Sequence, residues 1–413
     1  MKIFNLNLRN SGKTIRQTAL LSGAQLFGLV LGFASSIFLA KSMEPFAFGL
    51  YNFAMAVVTF IGIFFEFGFF ASGARLLARS NDPAVERSIT ATLLLVLFVV
   101  CLLNVLVVFA VSLFIDHFFQ DKIGYILLVC SPVCCYFVLT VFFDLILRGS
   151  NRVELLSYSL FGSKILFVLA IAALYFVHKL TPLTAFASYH ISGIVSFVFF
   201  AFKLRPSFTN VSAHFRDLLD ENRSFGLRLY SGRIIDTATY QTDRLLIASF
   251  CSARDVGFYS LAFSLANPIN TISSSLAFSK FRDFNEGKHI SSRLVSINFR
   301  IVLFFIVLVN AFGFAVIKLV LGKSYEDVLP LLCLWSVAIG FQSSYQLYNS
   351  WLSSNGKGVF LRRKAAYTGL ANLVLNFTFI PIWGTIGAAA ASAVSMSISY
   401  ALHRHYYSIS VNT

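Results

Sequence analysis

The chain reads as an all-α polytopic membrane protein, with about twelve transmembrane helices in two pseudo-symmetric six-helix lobes around a central cavity. Three observations lead there. Of its 413 residues, 57% are hydrophobic and only 12% charged, and mean hydropathy is +0.76, a composition foreign to ordinary soluble domains. Apolar stretches long enough to cross a bilayer, which takes roughly 20 residues, recur from end to end. The loops between them are alternately rich and poor in Lys and Arg.

The stretches fall at 17–40, 48–74, 88–112, 123–147, 153–177, 181–202, 226–250, 256–279, 296–320, 328–353, 365–382 and 384–402. The first is too long, and lacks a small-residue cleavage pattern, to be a removable leader, so it is span one. Most of the 33 Lys and Arg lie in the N-terminal tail and in loops 75–87, 148–152, 203–223, 280–300 and 357–364. The opposite set of loops holds only Lys41, Lys122, Lys179, Arg254, Lys318 and Lys323. By the positive-inside rule both termini are then cytoplasmic. Adding or removing one span would put several basic clusters on the wrong side.

Net charge is +15, which could point to nucleic acid. Here the charge is spread over loops flanking apolar spans, where orientation and attraction to anionic lipid account for it, so no nucleic-acid partner is expected. All cysteines but Cys251 lie in apolar stretches. Cys130, Cys134 and Cys135 have no His or carboxylate at ligand spacing and read as packing residues, not a metal site. The many Phe residues read as lipid-facing and core side chains, and Tyr51 and Tyr259 as interfacial anchors.

The two halves echo each other. Residues 40–54, AKSMEPFAFGLYNFA, align with 248–262, ASFCSARDVGFYSLA, placing Gly49 on Gly257, Tyr51 on Tyr259 and Ala54 on Ala262. Parallel repeats of this kind, related by an axis along the membrane normal, recur in transporters. The domains expected are an N-terminal lobe 1–202, a cytoplasmic linker 203–225 and a C-terminal lobe 226–413. The DLLDENR part of the linker suits a short amphipathic surface helix.

Charges inside spans disfavour insertion by about 2.5–3.5 kcal/mol each and default to function or pairing. Those here are Glu66, Asp144, Lys164, Arg228, Arg233, Asp236, Asp243 and Arg244. Five crowd span seven. At helical periodicity Arg233, Asp236, Tyr240, Asp243 and Arg244 share an arc of about 100°, one stripe that cannot face lipid. Either the stripe pairs internally, Arg233 with Asp236, or it faces a cavity. Arg228 lies where it can snorkel to the cytoplasmic surface. Lys164 requires an acidic neighbour such as Asp144 or Glu66, or a watery anion-holding cavity. His190 suits a hydrogen-bonded packing role. A cavity holding these cations suits an anion such as pyrophosphate, whose oxygens match Arg forks.

The segment 242–250, TDRLLIASF, followed by 255–262, DVGFYSLA, resembles the seventh-to-eighth-span signature of bacterial polysaccharide flippases. These are O-antigen-type members of the multidrug/oligosaccharidyl-lipid/polysaccharide (MATE-like) superfamily. Phe67-Gly68-Phe69 with Arg75, the run 147–152 (LRGSNR) and the run 384–390 (GTIGAAA) resemble other parts of that family. The resemblance implies a flippase, not an enzyme, in a bacterial inner membrane. It would turn undecaprenyl-pyrophosphate-linked oligosaccharide to the periplasmic face by alternating access, without a cofactor and with proton or sodium coupling. Arg233, Arg244, Lys164, Arg228 and Tyr240 then bind substrate, and Asp236, Asp243, Glu66 and Asp144 serve coupling or charge pairing. Membrane lipid, a polysaccharide polymerase and a chain-length regulator are the further partners. A multidrug extruder of the same superfamily would call for a net acidic cavity. A membrane polymerase or glycosyltransferase would call for a large outer loop, and the longest here is about ten residues, roughly half the length of a span.

Overall fold

The computed structural model describes residues 23–412 apart from 81, 281–282 and 285–288; the side chains of 235–237, 239–240, 278 and 412 also lie outside the described set. Among the described residues every regular element is helical. In order these are α1 (Gly23–Ser42), α2 (Pro45–Ile63), α3 (Phe69–Arg79), α4 (Pro83–Phe114), α5 (Gly124–Cys130), α6 (Tyr136–Gly149), α7 (Val153–Phe176) and α8 (Pro182–Ala201). Then follow α9 (Val211–Glu221), α10 (Leu227–Phe250), α11 (Ala253–Ala266), α12 (Pro268–Ser279), α13 (Ser292–Ala315), α14 (Val328–Ser354) and α15 (Gly358–Asn412).

The helix starts are written locally. Pro opens α2, α4, α8 and α12, where its missing N–H would have no partner anyway. Thr181 with Thr184 and Ser252 with Asp255 close reciprocal capping boxes on α8 and α11, each satisfying two otherwise orphaned donors.

Among the described residues eight helices are long and apolar enough to cross a membrane, and nine if α5 and α6, bent by 41° at their junction, form one span. Helix α10 has 24 residues, about 36 Å at the helical rise; its charges alone set it apart. Helix α15 is broken at Gly384, where φ is 57° and ψ −135°, three residues after Pro381. That backbone region is open only to glycine, and it divides α15 into two crossing arms. Helices α11 and α12 follow one another at Asn267–Pro268. With α10, α11–α12 and the second arm of α15 set beside these spans, the described residues are consistent with the roughly twelve helices that the sequence predicts.

Contact density divides the chain into two units. The first comprises Met1–Ser35, Val58–Phe114 and Gly124–Arg233; the second comprises Ser36–Val57, Ile115–Ile123 and Ile234–Thr413. In the first, Phe70, Leu93, Leu139, Phe142 and Ile146 form the centre of a buried cluster, with Phe70 and Phe142 edge to face at 5.3 Å. Helix α4 shows how the bilayer acts as solvent. Leu93, Leu97, Val100, Asn104 and Val108 are buried at helical spacing, while Leu95, Phe98, Leu102, Leu106 and Phe109 face outward. Both faces are apolar but for Asn104, because lipid tails are as apolar as the core. In the second unit Phe284, Leu347, Trp351, Leu352 and Tyr406 form a further core.

Two sequence expectations are corrected here. Tyr51 and Tyr259 are buried, not interfacial. The amphipathic surface helix is not DLLDENR alone: α9 begins at Val211, and Asn222–Gly226 forms a π-turn leading to α10.

Candidate functional site on the charged helix

The N-terminal end of α10 is fastened to the break between α2 and α3. Phe67 and Gly68 both have positive φ, 48° and 78°, which ends α2 and lets the chain restart as α3. Asn222 holds that turn: its Nδ2 donates to the Phe67 carbonyl at 3.1 Å, and its Oδ1 accepts from Ser72 Oγ at 3.2 Å. Tyr230 donates to the Phe64 carbonyl at 2.7 Å. Glu221 receives Arg75 at 2.7 Å and Arg79 at 3.2 Å. Within this frame Glu66, buried between the two helices, accepts Arg233 Nη1 at 2.8 Å. The pair satisfies a carboxylate that would otherwise stand alone in a low-dielectric setting.

Ten residues on, about 15 Å along the helix axis, Asp243 sits in a different environment. It is 1% exposed. Tyr259 Oη of α11 donates to it at 2.8 Å, Ser392 Oγ at 2.8 Å and Asn376 Nδ2 at 2.5 Å, the last two from the two arms of α15. Asn376 also donates to Asn372 Oδ1 at 3.0 Å, and Asn372 to Ser395 Oγ at 3.3 Å. Asn376 Oδ1 is buried and has no partner among the described residues. A carboxylate ringed by hydroxyls and amides, with a spare amide oxygen beside it, can hold a proton or a small hard cation whose preferred ligands are oxygens.

Arg244, next in the chain, points elsewhere. Its Nη1 donates to Gln241 Oε1 at 3.2 Å, and its guanidinium lies 5.4 Å over the Phe263 ring. Among the described residues no carboxylate is within ion-pair distance, and its Nε is buried without a partner. It is a cation with donors to spare.

The other predicted residues separate from this group. Asp144 pairs with Arg148 on its own helix at 2.8 Å, and Glu66 is taken by Arg233, so neither acid answers Lys164. That lysine instead lies 5.3 Å over the Tyr189 ring, an attraction between a cation and an aromatic face. Arg228 is exposed. Arg233 meets Glu66; the side chains of Asp236 and Tyr240, and with them the expected Arg233–Asp236 pairing, lie outside the described residues. The single stripe on α10 therefore resolves into two ends, one committed to Glu66 and the other to α11 and α15. His190 is not hydrogen-bonded to any described residue; the rings of Phe186, Tyr189 and Tyr136 surround it instead.

Sequence reasoning missed Asn222, Tyr259, Asn372, Asn376 and Ser392. A signal was present for the α15 residues. Asn372 and Asn376, and Ser392, Ser395 and Ser399, recur at i,i+3 and i,i+4 along apolar spans, the spacing that puts polar groups on one face.

Comparison with known proteins agrees with this architecture. The lipid II flippase MurJ in an inward closed conformation superposes with TM-score 0.74 at 16% identity, covering 96% of this chain and 88% of that one. An inward-facing multidrug resistance MATE family transporter of the MOP superfamily superposes at 0.72 with 14% identity, covering 93% and 94%. A Shigella flexneri protein named "Putative O-antigen transporter" is 22% identical over 388 residues, 90% of this chain and 92% of that protein. These proteins are named as a flippase, a multidrug transporter and a putative transporter, which agrees with the expectation of a transporter in place of an enzyme. The family described as polysaccharide biosynthesis protein matches residues 14–279, well over half of the sequence, and the chain belongs to that family.

Proposed function

We propose that the chain carries undecaprenyl-pyrophosphate-linked oligosaccharide repeat units from the cytoplasmic to the periplasmic face of a bacterial inner membrane, by alternating access and with no covalent change. The observation that carries this reading is Arg244: a membrane-embedded cation on α10, braced by Gln241 and Phe263, with no acid at ion-pair distance among the described residues. A guanidinium so placed is matched to phosphate oxygens. Arg233 complements it in a different way. Glu66 neutralises it at 2.8 Å, so an incoming pyrophosphate exchanges with Glu66, and Glu66 recaptures the arginine on release. Exchange of this kind lets a strong anion bind without being trapped.

Asp243 supplies the coupling site. Its donor ring keeps a carboxylate in place, and binding of a proton or sodium ion there changes what Tyr259, Ser392 and Asn376 must satisfy. Both termini face the cytoplasm on the strength of the basic loops, and a polysaccharide polymerase and chain-length regulator receive the product. A multidrug extruder shares the fold, but the family match favours polysaccharide assembly.

The test is a charge series at Arg244 in cells that depend on the chain for surface polysaccharide. Arg244→Lys is expected to retain most production. Arg244→Ala should lower it about tenfold or more, the loss of a charge-assisted bond, and Arg244→Glu should abolish it. Equal production from Arg244→Lys and Arg244→Glu, at equal membrane levels, contradicts the reading.

A further inference from the structure

Each arm of α15 carries one file of polar side chains. Lys364, Thr368, Asn372 and Asn376 recur every fourth residue on the first arm, and Ser392, Ser395, Ser399 and His403 every third or fourth on the second. That spacing lines one face of a helix. All of them are at most 8% exposed. Asn372 donates to Ser395 at 3.3 Å, and Asn376 and Ser392 both bind Asp243, so the files face each other. Continued in that register, Thr368 lies level with Ser399, and Lys364 lies level with His403 and within electrostatic reach of it. From Asn376 to Lys364 the first file runs about 18 Å at the helical rise.

Bonding between the arms satisfies only part of this polarity. Thr368 Oγ1 and Asn376 Oδ1 are both buried without a partner among the described residues. Buried polar atoms are satisfied by protein or by ordered water, and two orphans two turns apart on one file call for water along it. At the far end His403 stacks on the Tyr345 ring of α14 at 4.3 Å. Its Nδ1 donates to the Ser399 carbonyl at 2.8 Å, and its Nε2 lies 3.3 Å from Asn349 Oδ1. The Lys364 ammonium lies 5.7 Å over the same Tyr345 ring. The files therefore lead from the carboxylate to a polar mouth beside loop 357–364.

We propose that the two arms of α15 enclose a file of water from the face of loop 357–364 to Asp243, and that the coupling ion reaches or leaves the carboxylate along it. This inference rests on the reading of Asp243 as the coupling site and adds the route and the face it opens to. Neutral hydroxyls and amides suit such a passage, since their oxygens stand in for part of a small cation's hydration shell without the charge that would trap it. Lys364 is the filter at the mouth: a fixed positive charge there repels an entering cation and slows it. Polar residues that only hold helices together have their bonds made within the protein. Ser336 of α14 is such a residue, accepting from Asn310 Nδ2 at 2.7 Å and donating to the Cys333 carbonyl at 2.8 Å.

The experiment adds silver ion, a monovalent cation that reacts with thiols, to one face of sealed membrane vesicles of either orientation. Single cysteines are placed in a background with the native cysteines replaced, and thiols left unreacted are counted after denaturation with a maleimide mass tag. Gly358→Cys, exposed and with open space around it, marks the face of loop 357–364. From that face Thr368→Cys and Ser395→Cys are expected to react about tenfold or more faster than Ser336→Cys, a position 1% exposed with its bonds made. Thr368→Val, of like shape without the hydroxyl, should slow silver at the deeper Ser395→Cys about tenfold, and Lys364→Gln should speed it. The proposal is overturned if Thr368→Cys and Ser395→Cys react no faster than Ser336→Cys, if they react only from the opposite face, or if Thr368→Val leaves Ser395→Cys unchanged. An unchanged rate in Lys364→Gln overturns the filter. Should Ser395→Cys fail to fold, Thr368→Cys decides. Cargo is absent throughout, and the sodium dependence of melting tests Asp243 by itself, so a dry file and a wrong coupling site give different results.

Discussion

Asp243 is a carboxylate in the interior of a bilayer-spanning bundle, and it is tolerated there because three donors converge on it. Bonds to a charged acceptor contribute roughly 1.5–3 kcal/mol each. Tyr259→Phe and Ser392→Ala should each lower thermal stability in detergent by about that amount, and the double variant by less than the sum, because the two hydroxyls, 3.2 Å apart, share one acceptor, Asp243 Oδ2. Full additivity would mean that the ring does not act as one unit. If the spare oxygen of Asn376 marks a cation position, sodium should raise the melting temperature of wild type and not of Asp243→Asn, by mass action on the folded state; a rise in both variants would place the cation elsewhere. At the other end of α10, Glu66→Gln should cost about 1–3 kcal/mol, between a surface pair and a fully buried one, since Arg233 is partly exposed. The swap Glu66→Arg with Arg233→Glu should recover that stability without recovering transport, because the cation has left α10. A swap that restores transport would make the pair purely structural. At this scale the sequence showed which residues are charged but not what they meet. Glu66 is 167 positions from Arg233, and Ser392 is 149 from Asp243; helical periodicity has no reach over such distances, so the recurring Asn and Ser of α15 mark a polar face without naming the carboxylate it meets.

Among the elements, the break between α2 and α3 sets the geometry around the start of α10. Gly68 has φ of 78°, and a Cβ there would stand 2.5 Å from the Gly226 carbonyl carbon. Gly68→Ala combines left-handed backbone strain of about 1–2 kcal/mol with a clash against main chain. It is expected to sharply reduce the monodisperse fraction on size exclusion, where Gly28→Ala leaves it unchanged; equal behaviour of the two would show that the break tolerates an ordinary residue. The spans themselves were legible in the sequence because apolar length is a local property. Helix α10 was legible too, since its length is that of a span despite its charges. The division of α15 at Gly384 follows from Pro381 and the glycine just after it. The bend between α5 and α6 was marked only by Pro132, in the short turn Ser131–Val133 that separates the two helices, a position that ends a helix without fixing the angle at which the next begins. Nor was the Phe67–Gly68 turn, which carries a family resemblance but whose second half, Asn222, is supplied from a distant part of the chain.

For the whole molecule, twelve crossings, alternating basic loops and two echoing halves were all visible in one dimension, because each is a repeated local signal. The close approach of Gly49 and Gly257 was visible only as an alignment; that the aligned residues touch is a fact of three dimensions. A chain of the polysaccharide biosynthesis family with cations at both ends of α10 and a ringed carboxylate between α11 and α15 has the parts needed to receive an anionic lipid-linked cargo and to couple its movement to an ion. The most direct measurement follows lipid-linked repeat units in cells lacking the chain and re-supplied with wild type or with Arg233→Ala/Arg244→Ala. The account predicts intact undecaprenyl-pyrophosphate oligosaccharide accumulating on the cytoplasmic face, cleared by wild type and not by the double variant. Repeat units that reach the periplasmic face normally without the chain, yet remain unpolymerised, would contradict it.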